Sequence, residues 1–179
     1  MRTGRRVKNK ITDNRGISLV ELIVVISIMV VMVGITAFGV SFMFTRDTNY
    51  VAVRIDDALT EARMLSMSRE GKFTCVLHID SDPKKCTVTI NNDVAGVVSE
   101  YKKVLLDKSV TIEVTGTGVA AGPGDDVTIE FDKSNGSVKN INGSAPSGVY
   151  TIRVTSTKNA AKVKDVTLVS TTGRHYTEK

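Results

Sequence analysis

Between Arg15 and Arg46 the only charged side chain is Glu21, and from Leu22 to Thr45 the chain runs 24 residues without a charge. As an α-helix rising about 1.5 Å per residue, such a run is roughly 36 Å long, enough to cross a hydrocarbon core of about 30 Å. It reads as a membrane segment. Arg2, Arg5, Arg6, Lys8, Lys10 and Arg15 precede it. By the positive-inside bias they hold the N-terminus in the cytoplasm and place everything after Arg46 on the other side. An ordinary secretory signal has an apolar stretch of only about 7–15 residues, with its cleavage site after that stretch. Ala37-Phe38-Gly39 imitates such a site but lies inside the run, with Val40, Phe42, Met43 and Phe44 still to come.

The net charge of +5 would suggest nucleic acid or an anionic surface as a partner, but its distribution removes that argument. Of the 24 basic and 19 acidic side chains, six and one lie in residues 1–16, leaving eighteen of each in the rest. The excess belongs to residues 1–16.

Glu21 is the residue a plain anchor does not explain. A carboxylate within a membrane helix costs on the order of 2–3 kcal/mol when central. Near a helix N-terminus it regains about 0.3–1 kcal/mol from the helix dipole. The residues alone leave two readings: a dipole-stabilised helix start, or a carboxylate with a partner.

The segment Arg15-Gly16-Ile17-Ser18-Leu19-Val20-Glu21-Leu22-Ile23-Val24-Val25 closely resembles the prepilin cleavage motif of type IV pilins and type II secretion pseudopilins. The match combines a basic leader, a Gly before the cut, a Glu five residues after it and a long apolar helix. The resemblance implies cleavage by a prepilin peptidase between Gly16 and Ile17, N-methylation of Ile17, and use of Glu21 in assembly against the Ile17 amine of a neighbouring subunit. Ile17 stands where the family usually has Phe. Leu59-Thr60-Glu61-Ala62-Arg63-Met64-Leu65-Ser66 and Ser170-Thr171-Thr172-Gly173-Arg174 are similar to the GspH/FimT group of minor pilins and pseudopilins. In some of that group a basic C-terminal motif binds DNA. Here Gly173-Arg174-His175-Tyr176 lacks the second Arg.

The implied fold is α+β, a pilin-like lollipop with a long N-terminal helix on an antiparallel β-rich head. Four segments follow: a cleaved leader at 1–16, a membrane or filament-core helix at 17–45, an amphipathic continuation at 46–71, and an extracytoplasmic β-rich head at 72–179. The continuation is legible in Val51, Ile55, Ala58, Leu59, Ala62 and Leu65 at three- and four-residue steps, with Gly71 as a stop. Beyond it, strands are expected at 73–79, 87–91, 97–106, 110–115, 127–131, 137–141, 149–155 and 166–170. Asn135-Gly136 predicts a two-residue hairpin turn and Asp82-Pro83 a type I turn. Gly116 to Asp126 reads as a Gly-rich loop. Its Gly116-x-Gly118 lacks the helix and the closing Lys-Ser/Thr of a phosphate loop.

Cys75 and Cys86 are compatible with one disulfide in an exported domain or with two buried thiols, since a hairpin turning at Asp82-Pro83 does not set them opposite each other. A DNA contact would fall in the last stretch, on Arg174, Lys162, Lys164 and Tyr176. The alternative there is a solvated, charge-patterned strand edge. His78 and His175 are the only histidines and match no triad or zinc spacing, and Cys75 and His78 would point to opposite faces of a strand. No enzyme activity, cofactor or metal is expected. The partners implied are prepilin peptidase, other pilin or pseudopilin subunits, the membrane and, in the DNA reading, nucleic acid.

Overall fold

The computed structural model describes residues 18–178, apart from the side chains of residues 36–38 and 40–44. The leader 1–16, the Gly16-Ile17 junction and Lys179 lie outside the described residues. Helix α1 spans Leu19–Ser68. It crosses the border between two compact units, residues up to Gly39 and residues from Val40 onward, which are taken in turn.

In the first unit, Leu22 N–H donates to the Ser18 carbonyl at 3.1 Å. The Ser27 hydroxyl donates to the Ile23 carbonyl at 2.7 Å, so this polar side chain is satisfied within its own helix. Every large apolar side chain from Leu19 to Ile35 is exposed, on all sides of the helix. Among the described residues no helix is long and apolar enough to cross a membrane. The described apolar stretch from Leu19 to Ile35 is about 25 Å long at the α-helical rise.

In the second unit, the three- and four-residue stripe of α1 does what its spacing predicts: Val51, Ile55, Ala58, Leu59, Ala62 and Leu65 are all buried. Ala52 joins them, while Val53, Asp57, Thr60, Met64 and Met67 stay exposed on the far side. Gly71, at φ +106°, turns the chain where a side chain would meet Asn92 Oδ1 at 2.5 Å.

The chain then forms β1 (Lys72–His78), a 3-10 turn at Pro83–Lys85, β2 (Thr87–Val94), β3 (Val97–Leu105), β4 (Val110–Gly116), β5 (Val119–Ala121), β6 (Asp126–Phe131), β7 (Val138–Ile141), β8 (Val149–Ser156), β9 (Asn159–Val169) and β10 (Arg174–Thr177). Two five-stranded antiparallel sheets result, in the orders β3-β2-β1-β6-β7 and β10-β9-β8-β4-β5. Alternation sends Phe73, Cys75 and Leu77 of β1, Ile112 and Val114 of β4, and Ile152 and Val154 of β8 into one core with the α1 stripe. The architecture is α+β.

Several expectations need correction. Asn135-Gly136 is not a two-residue hairpin: β6 stops at Phe131 and β7 starts at Val138. The longer loop is held by side chains that compete for the backbone. Ser134 N–H donates to Asp132 Oδ1 (2.7 Å) and Ser137 N–H to Asn135 Oδ1 (2.8 Å). Residues 116–126 contain β5, which Thr117 and Gly118 turn back onto β4. Gly116 leaves room for a ring, because a Cβ there would lie 2.1 Å from Tyr150 Cδ1. Strand β9 begins at Asn159 rather than 166, and β10 was not anticipated.

The two cysteines are free thiols and buried, the second of the two readings above. In register Cys75 faces Ile90 and His78 faces Thr87, so Cys86 falls four positions away, about 13 Å along the strand. Burial pushes the Cys75 thiol up to about 12 and also raises Cys86, so both stay protonated at neutral pH. His78 lies on the exposed face of β1, opposite to Cys75, and its Nδ1 is bonded to Asp126 across β6.

Candidate functional site

Two places concentrate the signals. The first is the start of α1. Glu21 is the acidic residue of its first turn and is exposed, in a stretch where Leu19, Val20, Leu22 and Ile23 are each more than half exposed. A helix apolar all round is stable only where lipid or other helices cover it. Glu21 is therefore one carboxylate in a surface that otherwise excludes charge.

The second place is a corner where three distant sequence segments meet: Thr60 to Met67 of α1, the Asn135-Gly136 loop, and Thr172 to His175. Arg63 clasps the corner. Its Nε donates to the Gly136 carbonyl at 2.9 Å, and one terminal nitrogen donates to the Thr172 carbonyl at 3.1 Å. Both bonds go from a charged donor to a backbone acceptor, the stronger class of hydrogen bond. Gly173 makes the approach sterically feasible. At φ +63°, an added Cβ would lie 1.8 Å from the Gly136 oxygen.

Next along the chain, His175 turns inward with its side chain 6% exposed. Its Nδ1 lies 3.2 Å from the Gly173 carbonyl and its Nε2 2.8 Å from the Thr60 hydroxyl. A carbonyl only accepts, so in the neutral ring Nδ1 carries the proton and Nε2 accepts from Thr60. Asp56 Oδ1 is buried beside it, 4.0 Å from Nε2, and has no hydrogen-bond partner. The two segments singled out by resemblance, Leu59 to Ser66 and Ser170 to Arg174, thus bind each other. Sequence reasoning took His175 only as a non-catalytic histidine. Its inward direction becomes visible only once β10 is known to pair with β9.

The four residues nominated for DNA contact do not form one face. Tyr176 pairs with Thr167 and Arg174 with Val169, which puts both on the side of the odd-numbered residues of β9. Lys164 pairs with Val154, which is fully buried, so it lies on the opposite side of the sheet. Lys162 stands beyond the register shift near the start of β9. Arg174 and Tyr176 are exposed, whereas Lys162 and Lys164 are half-buried. Among the described residues no three His, Cys, Asp or Glu side chains converge as ligands for a metal ion.

No profile of a known protein family matches the sequence, and no curated protein matches it either. Among solved structures, the chain is similar to the type IV minor pilin FimU of Pseudomonas aeruginosa, with a TM-score of 0.53 and 17% identity over 77% of this chain and 92% of that one. At that identity the likeness concerns the fold, and the fold is pilin-like.

Proposed function

We propose that this chain is a minor pilin or pseudopilin: a subunit made with a cleaved basic leader, anchored in the membrane and assembled into a filament. In this reading prepilin peptidase cuts between Gly16 and Ile17, the new Ile17 amine is N-methylated, and the head lies outside the cytoplasmic membrane. The observation that carries it is the all-round exposed apolar helix from Leu19 to Ile35 with Glu21 as its one charge. The sequence extends this uncharged run to Thr45, which is long enough for a bilayer before assembly. Neighbouring helices would replace lipid in the filament, and Glu21 would meet the Ile17 amine of the next subunit. Opposite charges in a dry helix core satisfy each other where either alone is penalised. The similarity in fold to a type IV minor pilin supports the same role.

The test separates assembly from anchoring. The full-length gene is expressed with its assembly machinery, and sheared filaments are analysed by mass spectrometry and microscopy. The expected result is a mature N-terminus at N-methyl-Ile17. Glu21→Ala should leave leader removal intact while the subunit vanishes from the filaments. Unchanged incorporation of Glu21→Ala would leave the chain as a membrane-anchored domain that does not polymerise through this carboxylate.

A further inference from the structure

The clasped corner also forms a cleft, and nothing in the filament reading uses it. Its volume is 220 Å³ and its walls are Thr60, Arg63, Met64, Met67, Arg174 and His175. The polar and apolar groups are sorted within it. Met64 and Met67 project from α1 and are 54% and 41% exposed, giving a polarizable apolar wall. Arg174 is exposed, and no ion pair or side-chain hydrogen bond holds its guanidinium among the described residues. Arg63 spends two of its nitrogens on backbone carbonyls, leaving the other terminal nitrogen of the fork for a further acceptor. Thr60 and His175 satisfy each other and close the inner end.

We propose that this cleft is a receptor for a carboxylate on a short apolar stem, a glutamate-type side chain presented by a partner protein. The Arg174 fork matches the two oxygens of a carboxylate, the remaining terminal nitrogen of Arg63 adds a donor, and the methionine wall matches the methylenes behind it. A nucleic-acid strand fits less well. Phosphate contacts need a row of cations on one face, and the sheet separates Lys164 from Arg174 and Tyr176. The methionines offer the phosphates nothing, no Phe, Tyr or Trp lines the cleft, and the His175 ring is 6% exposed and bonded to Thr60, so it gives a base no open face to stack on. This inference holds whether or not the chain polymerises.

The test uses the full chain in detergent micelles, with labelled methionine methyls and arginine side chains followed by nuclear magnetic resonance. N-acetyl-L-glutamate is the probe, and N-acetyl-L-glutamine, inorganic phosphate and a single-stranded oligothymidine are the comparisons. Expected are saturable shifts of the Met64 and Met67 methyls and of Arg174 Nε–H with the glutamate derivative, at a dissociation constant on the order of 1 mM. Arg174→Gln, exposed and outside the core, should keep the methyl spectrum of the folded protein and weaken binding by about tenfold. Lys164→Gln should leave binding unchanged. The proposal is overturned by absence of shifts with N-acetyl-L-glutamate, by an equal response to the glutamine derivative, or by an unaltered affinity in Arg174→Gln. Tighter binding of phosphate or oligothymidine at the same resonances would overturn it in favour of a phosphate site.

Discussion

A single carbonyl, that of Gly136, is approached from two sides, by the Arg63 fork and by the bare Cα of Gly173. Gly173→Ala adds a methyl at 1.8 Å from that oxygen and in the left-handed region. It is expected to cost at least about 2 kcal/mol, read as a lower urea midpoint at unchanged slope. Arg63→Ala removes two charge-assisted bonds and strands two carbonyls, an expected loss of about 2–4 kcal/mol by the same measurement. His78 acts through pH. The hydrogen bond that its ring donates to Asp126 is the main cause that raises its pKa, opposed by desolvation and helped by the Asp126 and Asp80 charges. A folded pKa above the unfolded value of about 6.5 means that its stabilisation is complete below that pH and disappears as pH rises through the folded value. A histidine titration followed by magnetic resonance should therefore find His78 titrating at lower pH in Asp126→Asn than in the parent chain. For the cysteines, burial and protonation predict no alkylation of Cys75 by iodoacetamide in the native state and identical migration with and without reductant. A reductant-dependent shift would restore the disulfide.

Among the elements, β3 is the one whose behaviour needs the most explanation. It edges its sheet, and Val97, Val98 and Leu105 are 70%, 64% and 60% exposed, the profile of a strand that invites another chain. A register shift guards it. Lys102 pairs with Ile90 and Glu100 with Asn91, leaving Tyr101 as an extra residue. The Tyr101 ring is held edge-on to Phe73 and under the Arg69 guanidinium. Lys102 bonds to Glu61 of α1, and Lys103, paired with Thr89, follows it along the strand. Replacing Lys102 and Lys103 by Val should raise light scattering during refolding; unchanged scattering would assign the protection to the bulge alone. Helix α1 was readable because its stripe repeats at the helical period over four turns, and Leu59→Ala in that stripe should cost about 2–5 kcal/mol. Most strands were readable for the same reason, through alternation. What escaped the sequence was non-periodic or decided at a distance. Strand β5 has only three residues, β10 exists because β9 lends it a partner, and Asn135-Gly136 obeys Arg63 rather than its own turn preference. The cleft residues were visible one at a time, but their meeting depended on pairings more than 100 positions apart.

For the whole molecule, charge and apolar surface are kept in separate places. Residues 1–16 hold the formal excess, the described residues 18–39 display apolar side chains with Glu21 as their one carboxylate, and the unit from Val40 carries ion pairs over a buried core. In the filament reading, a carboxylate at position 21 is retained for its pairing and not for its helix. Glu21→Gln, isosteric but uncharged, should therefore reduce incorporation into filaments nearly as much as Glu21→Ala, counted as subunit per sheared filament. The Arg63 clasp has a different consequence, in time rather than in space. It joins residues 109 positions apart, and the Thr60–His175 bond beside it spans 115. Synthesis delivers α1 long before Thr172 arrives, so the stripe from Val51 to Leu65 waits without its full cover until the chain is almost complete. Such distant closure makes for slow folding and a vulnerable interval. In the filament reading, the exported head passes through that interval before β10 pairs with β9 and ends it.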